Sequence, residues 1–272
     1  VTVNPLPVVG LNGPSAICAL TPANVYTTEA GMTGYTWNVS AGGTVTAGGT
    51  ATSNTVTVTW MTAGPQTVSV NYINGNGCTA TAATVYNVTV HPLPSPTLAG
   101  PAPVCATTAG NIYSTEGAMT AYIWNVTAGG TVTAGGTPTN NTVTVTWNTA
   151  GPQAVSVNYT DANGCTATAA TVYNVMVNPL PVPVITGPNV LCAGTAGNVY
   201  TAQAGKSNYQ WVVSAGGTVT AGGTASDNTV TVTWNTAGAR TVSVDYYEAT
   251  GCHAASPTVY NVTVNPLPVP TL

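Results

Sequence analysis

Cys18, Cys105 and Cys192 stand 87 positions apart, and Cys78, Cys165 and Cys252 keep the same step. Two tryptophan series share it: Trp37, Trp124, Trp211 and Trp60, Trp147, Trp234. The Pro-Leu-Pro of residues 5–7 returns at 92–94, 179–181 and 266–268, and no insertion separates the copies. So strict a period means one structural unit used three times. Counted from the proline linkers, the units are 8–94, 95–181 and 182–268. Residues 1–7 match 88–94 except that Asn4 stands where the later copy has His91, so they read as the closing strand of a preceding unit. Residues 269–272 read as the opening of a following one.

Within a unit the apolar residues alternate. Tyr35, Trp37 and Val39 interleave with Thr36, Asn38 and Ser40, and Val56, Val58 and Trp60 interleave with Thr55, Thr57 and Thr59. That is the two-residue period of half-buried strands, built from residues that suit a pleated surface. Val68, Val70 and Tyr72 form another such run, and a last strand spans Thr84 to Val90. Gly42-Gly43, Gly48-Gly49, Gly64-Pro65 and Asn76-Gly77 punctuate the runs, and Asn76-Gly77 predicts a two-residue type I′ hairpin. About seven short strands per unit predict an all-β chain of three immunoglobulin-like sandwiches, end to end. Trp37, Trp60 and their counterparts Trp124, Trp147, Trp211 and Trp234 share the phase of the inward valines and are expected in the cores.

Charged residues are 3% of the chain, and Lys206 and Arg240 are the two basic ones. No basic stripe can therefore neutralise a nucleic-acid backbone or dock on an anionic membrane surface. Threonine, glycine or asparagine interrupts every apolar run well short of the roughly 18 residues of a membrane-spanning helix. A leader peptide, if the chain uses one, is expected upstream of residue 1.

The six cysteines admit two pairings that respect the repeat. One closes each unit on itself, as Cys18–Cys78, Cys105–Cys165 and Cys192–Cys252. The other crosses the linkers, as Cys78–Cys105 and Cys165–Cys192. The first is the expectation, because each unit then staples itself; either way disulfides place the chain outside the reducing cytosol.

Gly13-Pro14 followed by Cys18, the segment Tyr35 to Gly43, Val56 to Trp60, Gly77-Cys78 and Pro92 to Pro94 recur in all three copies. Together they resemble the PKD-like modules of large Bacteroidota surface proteins. The resemblance implies a secreted, cell-surface or filamentous protein in which tandem modules serve as spacers, stalks or adhesins.

The repeat also acts as an internal control on chemistry, since a residue serving a site in every unit should recur. Glu29 and Glu116 recur, but the third copy has Gln203, and no copy places two acids in register with two acids of another. His91 and His253 occur only where the copies differ. Neither a carboxylate pair nor a Ser/His/Asp triad can be assembled from such residues. Cysteine spacing offers no C-x-x-C pair for zinc, and Asp161 in a lone Asp161-Ala162-Asn163-Gly164 reads as a turn rather than a calcium loop. No catalytic, cofactor or metal residue is expected. The expected function is a non-catalytic extracellular repeat forming a rod, stalk or filament of a bacterial surface protein. Its expected partners are copies of itself or neighbouring modules, with a surface or glycan ligand as a further option. The alternatives are adhesin modules that bind such a ligand directly, or an accessory region of a secreted enzyme.

Overall fold

The computed structural model describes residues 1–270. The expected opening of a following unit at 269–272 lies partly outside them. Among the described residues all regular structure is β, in three sandwiches of seven strands each. The first contains β1 (Ala16–Cys18), β2 (Asn24–Thr27), β3 (Thr33–Val39), β4 (Gly43–Gly48), β5 (Thr55–Trp60), β6 (Gly64–Ile73) and β7 (Thr84–His91). The second repeats these as β8 (Val104–Cys105), β9 (Asn111–Ser114), β10 (Thr120–Val126), β11 (Gly130–Gly135), β12 (Thr142–Trp147), β13 (Gly151–Thr160) and β14 (Thr171–Asn178). The third has β15 (Val190–Cys192), β16 (Asn198–Thr201), β17 (Ser207–Val213), β18 (Gly217–Gly222), β19 (Thr229–Trp234), β20 (Gly238–Tyr247) and β21 (Thr258–Asn265).

Each sandwich faces a four-stranded sheet, β1-β7-β6-β3 in the first copy, with a three-stranded one, β2-β5-β4. All pairings are antiparallel except that of β1 with β7. This parallel pairing puts Cys18 beside His91, at the end of the sandwich where the chain leaves it. The strand register turns the alternation of the sequence into two faces: Val56, Val58 and Trp60 of β5 are wholly buried, while the threonines between them face outward.

The core is organised around one aromatic pair per copy. Trp60 donates its indole N–H to the Tyr26 hydroxyl at 3.0 Å, and the hydroxyl in turn donates to the Pro14 carbonyl at 3.3 Å. Trp147 with Tyr113 and Trp234 with Tyr200 repeat the bond at 2.9 Å. This explains the Gly-Pro of the repeated motif, because a Cβ on Gly13 would lie 2.3 Å from the Tyr26 ring. Gly43 is small for the same kind of reason, its place being filled by the Trp60 ring 2.6 Å from where a Cβ would sit. The other tryptophan series occupies a different position. Trp37, Trp124 and Trp211 are half-buried at the margin of the core, and their indole N–H groups reach the Ser53, Asn140 and Asp227 carbonyls at 2.9, 2.8 and 2.9 Å.

The turn at Asn76-Gly77 differs from the type I′ hairpin expected. The Gly77 N–H donates to the Asn74 carbonyl and the Asn74 N–H to the Cys78 carbonyl, both at 2.9 Å, and within the loop only Gly77 has positive φ. It is a three-residue loop, a type I turn closed by a left-handed glycine. Asn74 selects it: its side-chain oxygen accepts from the N–H groups of Asn76 and Cys78 at 3.0 and 2.9 Å.

Candidate functional site: the joints between sandwiches

The two cysteines of one sandwich lie at opposite ends of it. Cys18 sits beside His91, and the neighbouring Val90 pairs with Gly64 at the start of β6. Cys78 follows the far end of β6, where Ile73 bridges Thr79. Ten residues of β6 separate these poles by about 30 Å, whereas a disulfide needs its Cα atoms within about 7 Å. The expected pairs Cys18–Cys78, Cys105–Cys165 and Cys192–Cys252 are therefore replaced. The structure has Cys18–Cys165 and Cys105–Cys252, with Cα separations of 5.5 and 5.6 Å. Each bridge ties the trailing pole of one sandwich to the leading pole of the next. The other pairing considered, across the linkers as Cys78–Cys105 and Cys165–Cys192, is likewise not formed. Cys78 and Cys192 are free.

Both partners of a bridge are set by the strands that carry them. On the trailing side, the Ala19 N–H donates to the His91 carbonyl and the Ala106 N–H to the Asn178 carbonyl, each at 2.8 Å, which fixes the end of the short first strand. On the leading side, Cys165 belongs to the three-residue loop that follows β13. The Asp161 carboxylate accepts from the Asn163 and Cys165 N–H groups at 2.9 and 2.8 Å. Asp161 therefore holds the cysteine loop. Cys165 and Cys252 are buried.

The linker between sandwiches is docked rather than free. Leu93 packs on the first core and Leu180 on the second. Beyond the prolines the chain is caught by the next sandwich: the Thr171 hydroxyl donates to the Pro96 carbonyl at 2.6 Å, as Thr84 does to Val9 and Thr258 to Pro183, each at 2.7 Å. A second clamp comes from the acid that recurs in two copies. The Glu29 carboxylate accepts from the Gly10 N–H at 3.0 and 3.2 Å, and the Glu116 carboxylate accepts from the Thr97 N–H at 3.1 Å and its hydroxyl at 2.5 Å. In the third copy the Gln203 carbonyl oxygen takes the Val184 N–H at 3.0 Å. Partial burial works against the charged form of Glu116. The Thr97 and Thr115 hydroxyls, with backbone N–H groups, outweigh it and hold the acid at about 2. Glu29 is lowered in the same way, its burial overcome by the Thr28 hydroxyl and the N–H groups of Glu29 and Gly10.

His253 lies beside the second bridge, with Nδ1 3.1 Å from the Asp245 carboxylate. Asp245 stands where the other copies have Asn71 and Asn158, whose amides donate to the Ala80 and Ala167 carbonyls at 3.0 Å. A carboxylate cannot donate there, and it accepts from the Ala254 N–H at 3.2 Å instead. Lys206 pairs with Glu248 at 2.7 Å. Among the described residues no three His, Cys, Asp or Glu side chains gather as a metal site, and no helix is long and apolar enough to cross a membrane.

The PKD-like domain family matches residues 4–88, 91–175 and 178–262. No curated protein is a significant match in sequence. Among solved structures, invasin, a bacterial integrin-binding protein, is 16% identical with a TM-score of 0.39; the alignment covers 94% of this chain and 59% of that one. FdeC, an Escherichia coli adhesin, is 17% identical at a TM-score of 0.37, covering 97% of this chain and all of that one. Domains 1–6 of the surface-layer protein SbsC are 11% identical at 0.28, covering 93% and 54%. At these scores the likeness carries no argument about function.

Proposed function

Because this chain belongs to the family of PKD-like domains and carries three of them in tandem, we propose that it is a non-catalytic, extracellular structural repeat, a rod or stalk segment of a bacterial surface protein. The observation that carries this reading is the placement of both disulfides between sandwiches rather than within them. A bridge inside a domain protects that domain; a bridge across a joint protects the line of domains. The units are 8–94, 95–181 and 182–268, a division supported by the Thr84, Thr171 and Thr258 clamps on the second residue after each linker. Disulfides at the joints also suit an oxidising location outside the cytosol.

The two covalent loops overlap, which has a mechanical consequence. Between the ends of the chain the shortest covalent path runs from Val1 to Cys18, across to Cys165, back along the chain to Cys105, across to Cys252 and out. That path holds roughly a third of the residues, so a fully unfolded chain with both bridges closed stretches to roughly a third of its reduced length at about 3.5 Å per residue. Pulling single molecules from both ends, with and without reductant, measures this. Full-length extension without reductant would overturn the mechanical reading.

A further inference from the structure

The two joints are built alike, and beside their bridges they differ in three side chains. In each, a cleft opens between the sandwiches next to the bridge. The first, of about 260 Å³, is lined by Cys18, Leu93 and Thr166 among others, and the second, of about 410 Å³, by Cys105, Leu180 and His253 in the same places. At the first joint the Asn158 amide donates to the Ala167 carbonyl at 3.0 Å, and the Thr160 and Thr166 hydroxyls meet at 2.9 Å. At the second joint Asp245, Tyr247 and His253 stand at these positions. The buried Asp245 carboxylate lies 3.1 Å from His253 Nδ1, and the Tyr247 ring centroid lies 5.0 Å from that of the imidazole. A carboxylate on Nδ1 fixes the orientation of a ring that takes up charge near neutral pH. The wall of the cleft across from it, from Cys105 to Thr108 with Leu180, carries no charge. Lys206 and Glu248, at the same pole, pair with each other at 2.7 Å.

We propose that Cys105–Cys252 is the exchangeable bridge of this chain, the site at which a small thiol opens the second joint, and that Cys18–Cys165 is the lasting one. Cys252 is buried while Cys105 lines the cleft, so an incoming thiolate meets the bridge at the Cys105 sulfur. The new bond forms to Cys105 Sγ, the disulfide breaks, and Cys252 departs as a thiolate. His253 follows Cys252 directly in the chain, and in its charged form it stabilises that departing anion, which speeds exchange. A second small thiolate then attacks the mixed disulfide and releases Cys105 as a thiolate together with a small-molecule disulfide. The bridge gains the two electrons that the two small thiols lose. Thr166, which follows Cys165, carries no charge and gives the first bridge no such help. Stretching single chains asks whether the bridges carry load, whereas exchange asks which bridge opens, so this inference and the rod reading fail separately.

The test uses the 272-residue chain with its two free thiols, Cys78 and Cys192, first alkylated. Reduced glutathione is added, and quenched samples are mapped for each bridge over time, from about pH 5.5 to about pH 8.5, across the range in which imidazole loses its charge. Both rates follow the thiolate fraction of glutathione, so the ratio of the two rates is what is read. Cys105–Cys252 should open about tenfold faster at the acid end, as a leaving thiol about 2 units more acidic gives at a sensitivity of about 0.5. The ratio should fall as pH rises. His253→Thr with Asp245→Asn, the residues that the other two copies carry there, should erase both the lead and its pH dependence. The converse transplant, Asn158→Asp with Thr160→Tyr and Thr166→His, should speed the opening of Cys18–Cys165. Equal rates for the two bridges in the unaltered chain overturn the inference. So does a lead of Cys105–Cys252 that ignores pH or survives undiminished in the His253→Thr, Asp245→Asn variant, and so does a transplant that leaves Cys18–Cys165 as slow as before.

Discussion

Inside the second sandwich, Trp147 and Tyr113 are fully buried and bonded to each other within a shell of valines. At its joint with the third, one half-buried leucine and a proline linker meet a loop, and Cys105–Cys252 lies beside a cleft lined by Leu180 and His253. The core is a packing problem that each copy solves alone, with no disulfide across it. The joint is closed covalently. The difference teaches that folding and alignment are separate tasks here, so they can be broken separately.

Removing the bridges has the largest expected effect. Each closes a loop of 147 residues, and the chain-entropy model puts such a loop at about 5 kcal/mol. The overlap of the two loops makes the second worth less than the first. This effect acts through the unfolded chain, so Cys105→Ser with Cys252→Ser should lower the denaturation midpoint while leaving the β-sheet circular dichroism unchanged. Loss of sheet signal at 25 °C without denaturant would show that the cores depend on the bridges.

Attacking a core gives the opposite pattern. Trp147→Ala should cost about 3–5 kcal/mol and fall on the second sandwich, with amide exchange in the third little changed. Tyr113→Phe is milder and more diagnostic. It removes the buried hydroxyl that accepts from Trp147 and donates to the Pro101 carbonyl at 3.2 Å. Leaving a buried indole N–H without a partner costs about 1–3 kcal/mol. A neutral Tyr113→Phe would mean that packing alone fixes the pair.

The same contrast divides what was legible in the sequence. The cores were readable because burial follows strand phase: Val56, Val58 and Trp60 announce one face of β5 without any knowledge of neighbours. Trp37 has the same phase yet lies at the core's margin, since phase gives the face but not the depth. The joints were not readable in this way. Cys18 pairs with Cys165 because β1 runs parallel to β7, which carries Cys18 to the trailing pole; spacing alone does not reveal that. The 87-residue period permits the pairing with Cys165 as readily as the one with Cys78, and the placement of Cys18 and Cys78 at opposite ends of the sandwich decides between them. The role of Glu29 and Glu116 was hidden too. Their replacement by Gln203 argues against catalysis and is also what a clamp needing only an acceptor oxygen allows.

That clamp supplies the smallest and last way to sharpen the comparison. Glu116 is held at about 2 and Glu29 is also lowered, both by hydroxyl and N–H donors that outweigh burial. An unfolded glutamate titrates near about 4.3. A carboxylate whose folded value lies below its unfolded one contributes stability that is present above the unfolded value and is lost as pH falls through the folded one. The second sandwich should therefore lose stability between about pH 4.3 and about pH 2, and the first should lose it as pH falls below the ordinary glutamate value. Gln203 does not titrate, so the clamp of the third sandwich should persist through the same range. Amide exchange followed by sandwich would read this as faster opening around Gly10 and Thr97 in acid, with Val184 unaffected. Glu116→Gln should remove the acid sensitivity at Thr97 and leave that at Gly10. If Val184 opened with the others, or if Glu116→Gln left the acid response of Thr97 unchanged, the clamp would not be what ties the linker to the sandwich it leads into.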